Sequence, residues 1–159
     1  MSTTVTLHVS VIMERRMVRQ GRWSVASWEA VGTIPHDPAT GIRRRHLVRE
    51  DGESQQYLWS GFPLTLYRDG AENYWYNLGG VNPSLYVLCH EDPGGDVEPF
   101  SVTVNHDEAS AGMEGDDRVY ATPIPAEIYH EIEKFVVKHF EPREKKVRKR
   151  KNWSGDRPA

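Results

Sequence analysis

The chain is poor in the residues that staple, span or cradle. It has one cysteine, Cys89, which excludes an intrachain disulfide and a thiolate metal cage. No apolar run approaches the roughly 20 residues that a membrane-spanning helix needs. The opening Met1-Ser2-Thr3-Thr4-Val5 lacks a basic region followed by an apolar stretch, so no secretory signal is expected. A phosphate loop of the Gly-x-x-x-x-Gly-Lys type is missing, as are Gly-x-Gly-x-x-Gly and the Gly-x-Ser-x-Gly elbow. The usual warrants for nucleotide binding and acyl transfer are therefore absent. A length of 159 residues suits one domain that buries a core without staples. The expectation is a cytoplasmic protein that is not an enzyme and carries no cofactor.

Charge is present but unevenly placed. The net charge is −3. Residues 1–140 hold 12 Lys+Arg and 20 Asp+Glu, whereas residues 141–159 hold 8 and 3. An acidic body thus carries a basic tail, a pattern typical of interaction tails. Lys145, Lys146, Arg148, Lys149, Arg150 and Lys151 form the dense block, and Trp153 follows as an isolated aromatic. The expected division is a single domain over 1–142 and a disordered basic tail over 143–159.

Period-two alternation dominates the body. Val5, Leu7, Val9 and Val11 alternate with Thr4, Thr6, His8 and Ser10, which predicts a half-buried strand over 4–13. Charged residues 14–21 read as a loop. In Arg22–Gly32, RWSVASWEAVG, the apolar phase changes between Trp23 and Trp28. A bulge near Val25–Ala26, or a strand over about 26–34, puts Trp28 inward and Trp23 at the entrance. An exposed Arg22–Glu29 pair would contribute only ~0–1 kcal/mol. Residues 35–52 read as a loop or long hairpin arm. Further strands are predicted at 55–59, 63–67, 73–78, 84–90 and 100–105, separated by turn residues such as Arg68-Asp69-Gly70 and Asp92-Pro93-Gly94-Gly95. Both faces of 84–90 carry apolar residues, marking it as a central strand.

A helical turn is predicted around Glu108–Met113 and a short strand at Val119–Ala121. Ile128, Ile132, Phe135, Val136 and Phe140 recur at helical spacing, with Pro125 before and Pro142 after, predicting a helix over 125–140. The fold class is α+β, mainly β: an antiparallel barrel-like or sandwich sheet of six to eight strands, one C-terminal helix and the basic tail.

Several segments together resemble a proteobacterial family designated domain of unknown function three-three-zero-five. They are VSVIMERR (9–16), RWSVASWEAVG (22–32), YLWSGFPLTLYRDGAENYWYNLGG (57–80), PSLYVLCHED (83–92), VTVNHDEA (102–109) and PIPAEIYHEIEKFVVKHFEPRE (123–144). The resemblance covers nearly the whole domain, in order. Genes of the family often lie beside those of molybdenum-dependent formate dehydrogenases. It therefore implies an accessory or assembly role, with formate dehydrogenase or its assembly factors as protein partner. It carries over no catalytic residue.

Glu127-Ile128-Tyr129-His130 has the Glu-x-x-His spacing of di-iron helices, but those sites need a second such motif on a facing helix. An exposed helix face is the better reading. His90-Glu91-Asp92 and His106-Asp107-Glu108 end predicted strands, and nothing in their spacing makes them converge on a metal. Cys89 inside a strand reads as a small hydrophobe. The aromatics Tyr74, Trp75 and Tyr76 read as core first and as interface anchors in the alternative. The partner-binding candidates are thus Trp23, Tyr74, Trp75, Tyr76, the tail cations and Trp153. The alternative functions are nucleic-acid binding through the tail, by counterion release, and a small-ligand or metal-binding barrel.

Overall fold

The computed structural model describes residues 4–36 and 45–140. The predicted tail lies outside the described residues, as do Lys145, Lys146, Arg148, Lys149, Arg150, Lys151 and Trp153.

Among the described residues, seven strands form two antiparallel sheets. The larger has the order β2-β1-β4-β3, from β1 (Thr4–Gln20), β2 (Trp23–Pro35), β3 (Arg45–Asp51) and β4 (Ser54–Tyr67). The smaller has the order β6-β5-β7, from β5 (Ser84–Glu91), β6 (Val97–Thr103) and β7 (Arg118–Pro123). Strand β7 runs close to β2 and β6 close to β4 without forming ladders between the sheets. The arrangement is a sandwich, not a closed barrel.

Strand β1 runs to Gln20, through the residues read from sequence as a loop. The reason is the turn beyond it. Gln20 pairs with Trp23 across Gly21-Arg22, and Gly21 has φ +66°. A two-residue turn with glycine first and φ positive matches the twist of the flanking strands. The same device joins β3 to β4, where Asp51 pairs with Ser54 and Gly52 has φ +61°. The bulge expected near Val25–Ala26 lies instead at Val31: Ile12 pairs with Gly32 and Met13 with Ala30. Segments 55–59 and 63–67 are one strand, bent at Gly61 (φ +85°), where the β1 register slips between Val9 and Val11. Pro63 lies past the stretch of β4 paired with β3, where the strand has one neighbour.

Residues 73–78, expected as a strand, are helical. Helix α1 (Ala71–Leu78) follows a single 3-10 turn and buries Ala71, Tyr74 and Leu78, one helical face. Helix α2 (His106–Glu114) covers the expected turn at 108–113 and is capped by Asn105, whose side chain accepts from the Asp107 and Glu108 amides. Helix α3 (Ala126–His139) buries Ile128, Ile132, Phe135 and Val136, the predicted face.

The core face of the large sheet carries Val9, Val11 and Met13 with Phe62, Leu64 and Leu66. Leu85, Val87 and Cys89 face it from β5, and Tyr74 and the α3 stripe join the same cluster. The other face of β5 is covered by α2, where Leu88 Cδ2 lies 3.1 Å from the position a Cβ on Gly112 would take. The central strand is therefore covered on both sides, as its composition predicted. Asn77 ties α1 to the small sheet. Its Nδ2 donates to Ser84 O (2.8 Å) and Val104 O (2.9 Å), and its Oδ1 accepts from Ser84 N (3.0 Å).

Candidate functional site

The large sheet is longer than the small one. Strands β1, β2 and β4 have 17, 13 and 14 residues, against 6 to 8 in β5, β6 and β7. Part of its core face therefore has no roof. Register says what that face carries, because cross-strand partners share a side. Val11 pairs with Trp59, which pairs with Arg45; Met13 pairs with Ala30 and Tyr57, and Tyr57 with Leu47. One pleat further, Arg15 pairs with Trp28 and Gln55. The stripe that is aliphatic under the small sheet becomes aromatic and cationic where the cover ends.

These side chains form an open groove of about 460 Å³ lined by Arg15, Trp28, Arg45, Leu47, Glu50, Gln55, Tyr57 and Asp96. Trp28 and Tyr57 stack with centroids 6.0 Å apart. The Arg45 guanidinium lies 4.9 Å from the Tyr57 ring centre and 5.9 Å from that of Trp59, within cation–π range. Arg15 Nη1 donates to Gln55 Oε1 at 3.2 Å. The Nε1 atoms of Trp28 and Trp59 and the Tyr120 hydroxyl are shielded from solvent and have no hydrogen-bond partner. Burial pushes the Tyr120 phenol above its ordinary range, an effect that nearby Arg118 opposes.

The sequence candidates are dispersed. Trp23 stands at the hairpin tip, 72% exposed. Tyr74 belongs to the core, its hydroxyl accepting from Tyr67 N at 3.0 Å. Trp75 and Tyr76 lie on the outer side of α1, Trp75 leaning on Phe140 with centroids 6.0 Å apart. Tyr76 borders a second hollow of about 340 Å³ with Asn73, Val81, Tyr86 and His106. Arg22 sits in the hairpin turn and makes no ion pair with Glu29. Of the nominated partner anchors that lie among the described residues, Trp23, Tyr74, Trp75 and Tyr76, none lines the groove. Trp28 and Tyr57 were visible as aromatics, but the arginines that join them were hidden in segments read as loops.

The histidines are engaged separately. His90 stacks on Phe100 at 3.9 Å and lies 3.6 Å from Asp117, while His106 packs edge-on against Tyr86. Glu127 and His130 are exposed on α3. Among the described residues, no group of three or more His, Cys, Asp or Glu side chains is placed to hold a metal ion. No described helix is long and apolar enough to cross a membrane.

Cys89 is fully buried, and desolvation pushes its thiol up to about 12 from 9.0. Between those values the unfolded chain loses the thiol proton while the folded chain keeps it, so stability falls as pH rises. The expected slope is about 1.4 kcal/mol per pH unit from this group. Denaturant titrations at pH 8.5 to 11 measure it. Cys89→Ala removes the part that begins at pH 9 and leaves the part from Tyr74, Tyr86 and Tyr120, whose phenols are also raised by burial. An unchanged slope in that variant contradicts the assignment.

A family described as "Protein of unknown function (DUF3305)" matches residues 8–151. The chain belongs to this family. Neither the comparison with curated proteins nor that with solved structures returns a match. The DUF3305 match begins at the strand that forms the sandwich floor and runs past α3. It therefore includes both hairpins that build the groove.

Proposed function

We propose that this DUF3305 protein is a non-catalytic accessory protein that works by docking a partner protein in the groove at the open end of the sandwich. The observation that carries the reading is the composition of that surface: Trp, Tyr and Arg, the residue types that supply most interface hot spots, are set side by side on a rigid sheet. The absence of catalytic motifs from the sequence agrees with a binding role. The resemblance noted above directs the choice of partner to the molybdenum-dependent formate dehydrogenase and its assembly factors.

The test is affinity purification of the full chain from the native cell, with Leu47→Asp beside the wild type. Leu47 is 53% exposed on β3 and lines the groove, so the substitution places a charge on the docking face without opening the core. A loss of partner binding of roughly 30-fold or more is expected, the scale of a hot-spot lesion. Val81→Asp, 94% exposed beside the second hollow, serves as the control and retains binding. Equal capture by all three chains, or no formate dehydrogenase component with any of them, defeats the proposal.

A further inference from the structure

We infer that the groove takes an extended segment of the partner chain with an acidic residue at its centre, the carboxylate set between Arg15 and Arg45 and its apolar neighbours on Trp28 and Tyr57. This rests on the docking role proposed above and adds the chemistry of the occupant.

Charge distribution points the same way at two scales. Residues 14–29 and 45–56, which form the two hairpin ends, hold six arginines and five carboxylates. The rest of the described chain holds four Lys+Arg and fourteen Asp+Glu. In the hairpin ends cations thus outnumber anions, whereas the rest of the described chain taken together is strongly acidic. Among the described residues, the arginine and lysine ion pairs use other cations: Arg16 with Glu14, Arg49 with Asp51, Arg118 with Glu91 and Lys134 with Glu131. Arg15 instead spends a hydrogen bond on the neutral Gln55. Arg45 lies over two rings, an arrangement that leaves its planar edge of N–H donors for a bidentate acceptor.

The groove's own carboxylates, Glu50 and Asp96, are exposed at its rim. Neither approaches a floor arginine closely enough to form an ion pair. Arg15 is half-buried and so less screened than the exposed rim charges, and Arg45, although exposed, is held over two rings; these two cations set the preference at the centre and the rim disfavours acidic flanks. A polyanion with a charge at every unit, such as a nucleic acid, meets those rim carboxylates and the acidic body together. A single carboxylate between neutral or basic neighbours does not. The extended form follows from the shape of the floor, an open sheet face whose side chains repeat at every second residue along each strand.

Selection of a phage-displayed library of random nonapeptides against the full-length protein tests this. The expected result is enrichment of peptides with one central Asp or Glu flanked by neutral or basic residues. Synthetic versions should bind the R15Q/R45Q double variant at least about tenfold more weakly than wild type, with the same melting temperature confirming the fold. Replacing the central Glu of the peptide by Gln should weaken wild-type binding equally and leave the double variant unaffected. Enrichment of non-acidic peptides, no enrichment at all, or equal binding by wild type and R15Q/R45Q overturns the inference. So does a concentration-dependent dimer abolished by R15Q/R45Q, which would make a second copy the occupant, or tighter binding of a single-stranded oligonucleotide. If R15Q/R45Q still captures the cellular partner while Leu47→Asp does not, the docking role stands and the acidic occupant falls.

Discussion

Asn77→Ala is expected to lower the unfolding free energy by about 3 kcal/mol, far more than its position on a short helix suggests. The side chain satisfies three backbone groups in two other segments: Ser84 N, Ser84 O and Val104 O. A typical net hydrogen bond contributes about 1 kcal/mol, and a shielded group left without a partner costs more. Alanine removes all three bonds at once and does not replace the volume. Asn77→Asp separates the contributions. It keeps an acceptor for Ser84 N but turns a carboxylate toward two carbonyl oxygens, so it should be no better than alanine. Urea unfolding monitored by circular dichroism gives both values. A loss below about 1 kcal/mol for Asn77→Ala would mean that water takes over the three groups and that Asn77 contributes little to the link between α1 and the small sheet.

Phe135→Ala should cost still more, about 4 kcal/mol, within the range for emptying an aromatic site in a core. The ring is almost fully buried, 6.2 Å from Tyr74 and 4.5 Å from His139 by ring centres. It is the point where the apolar face of α3 meets α1, which in turn carries the Tyr74 hydroxyl to the backbone of Tyr67. Tyr74 cannot slide toward the vacancy without giving up that bond. Gly70 packs close against the same hydroxyl, where an added Cβ would lie 2.6 Å away. The cavity should therefore persist rather than collapse. Val137→Ala, on the exposed side of the same helix, should change stability by less than about 0.5 kcal/mol. Comparable losses from the two substitutions would show that α3 is held by something other than its buried face.

The sequence was legible where one physical signal dominated. Helix α3 has a single apolar stripe and proline at its start, and its face was read correctly from Ile128 to Val136. Strand β5 was recognised as central because no arrangement of Leu85, Tyr86, Val87 and Leu88 leaves one face polar. Reading failed where two signals competed. Residues 73–78, NYWYNL, are rich in aromatics, which favour strands when judged locally. The spacing Ala71, Tyr74, Leu78 was the better guide, since those three residues fall on one helical face and are the ones buried. Segment 14–21 reads as a loop because it is charged and ends in glycine, and 45–51 falls in the 35–52 stretch that reads as a loop or arm because of its prolines, glycines and arginine run. Their side chains are charged because this part of the sheet has solvent on both sides, so alternation lost its contrast. That is the same reason the groove was missed. Arg15 and Arg45 lie 30 positions apart in sequence and come to line one groove only through the pairing of β1 and β3 with β4. Composition cannot report a register.

The unroofed stretch of the large sheet also has a consequence for how this protein can vary. Because both hairpins close through two-residue glycine-first turns, their ends can be trimmed or extended symmetrically without touching the packed interior. A change of two residues on each limb preserves which side chains at the tip look inward; a change of one turns those beyond it to the opposite face. Relatives or engineered versions can thus adjust the reach of the platform in steps of one pleat, while the sandwich behind it keeps the same contacts.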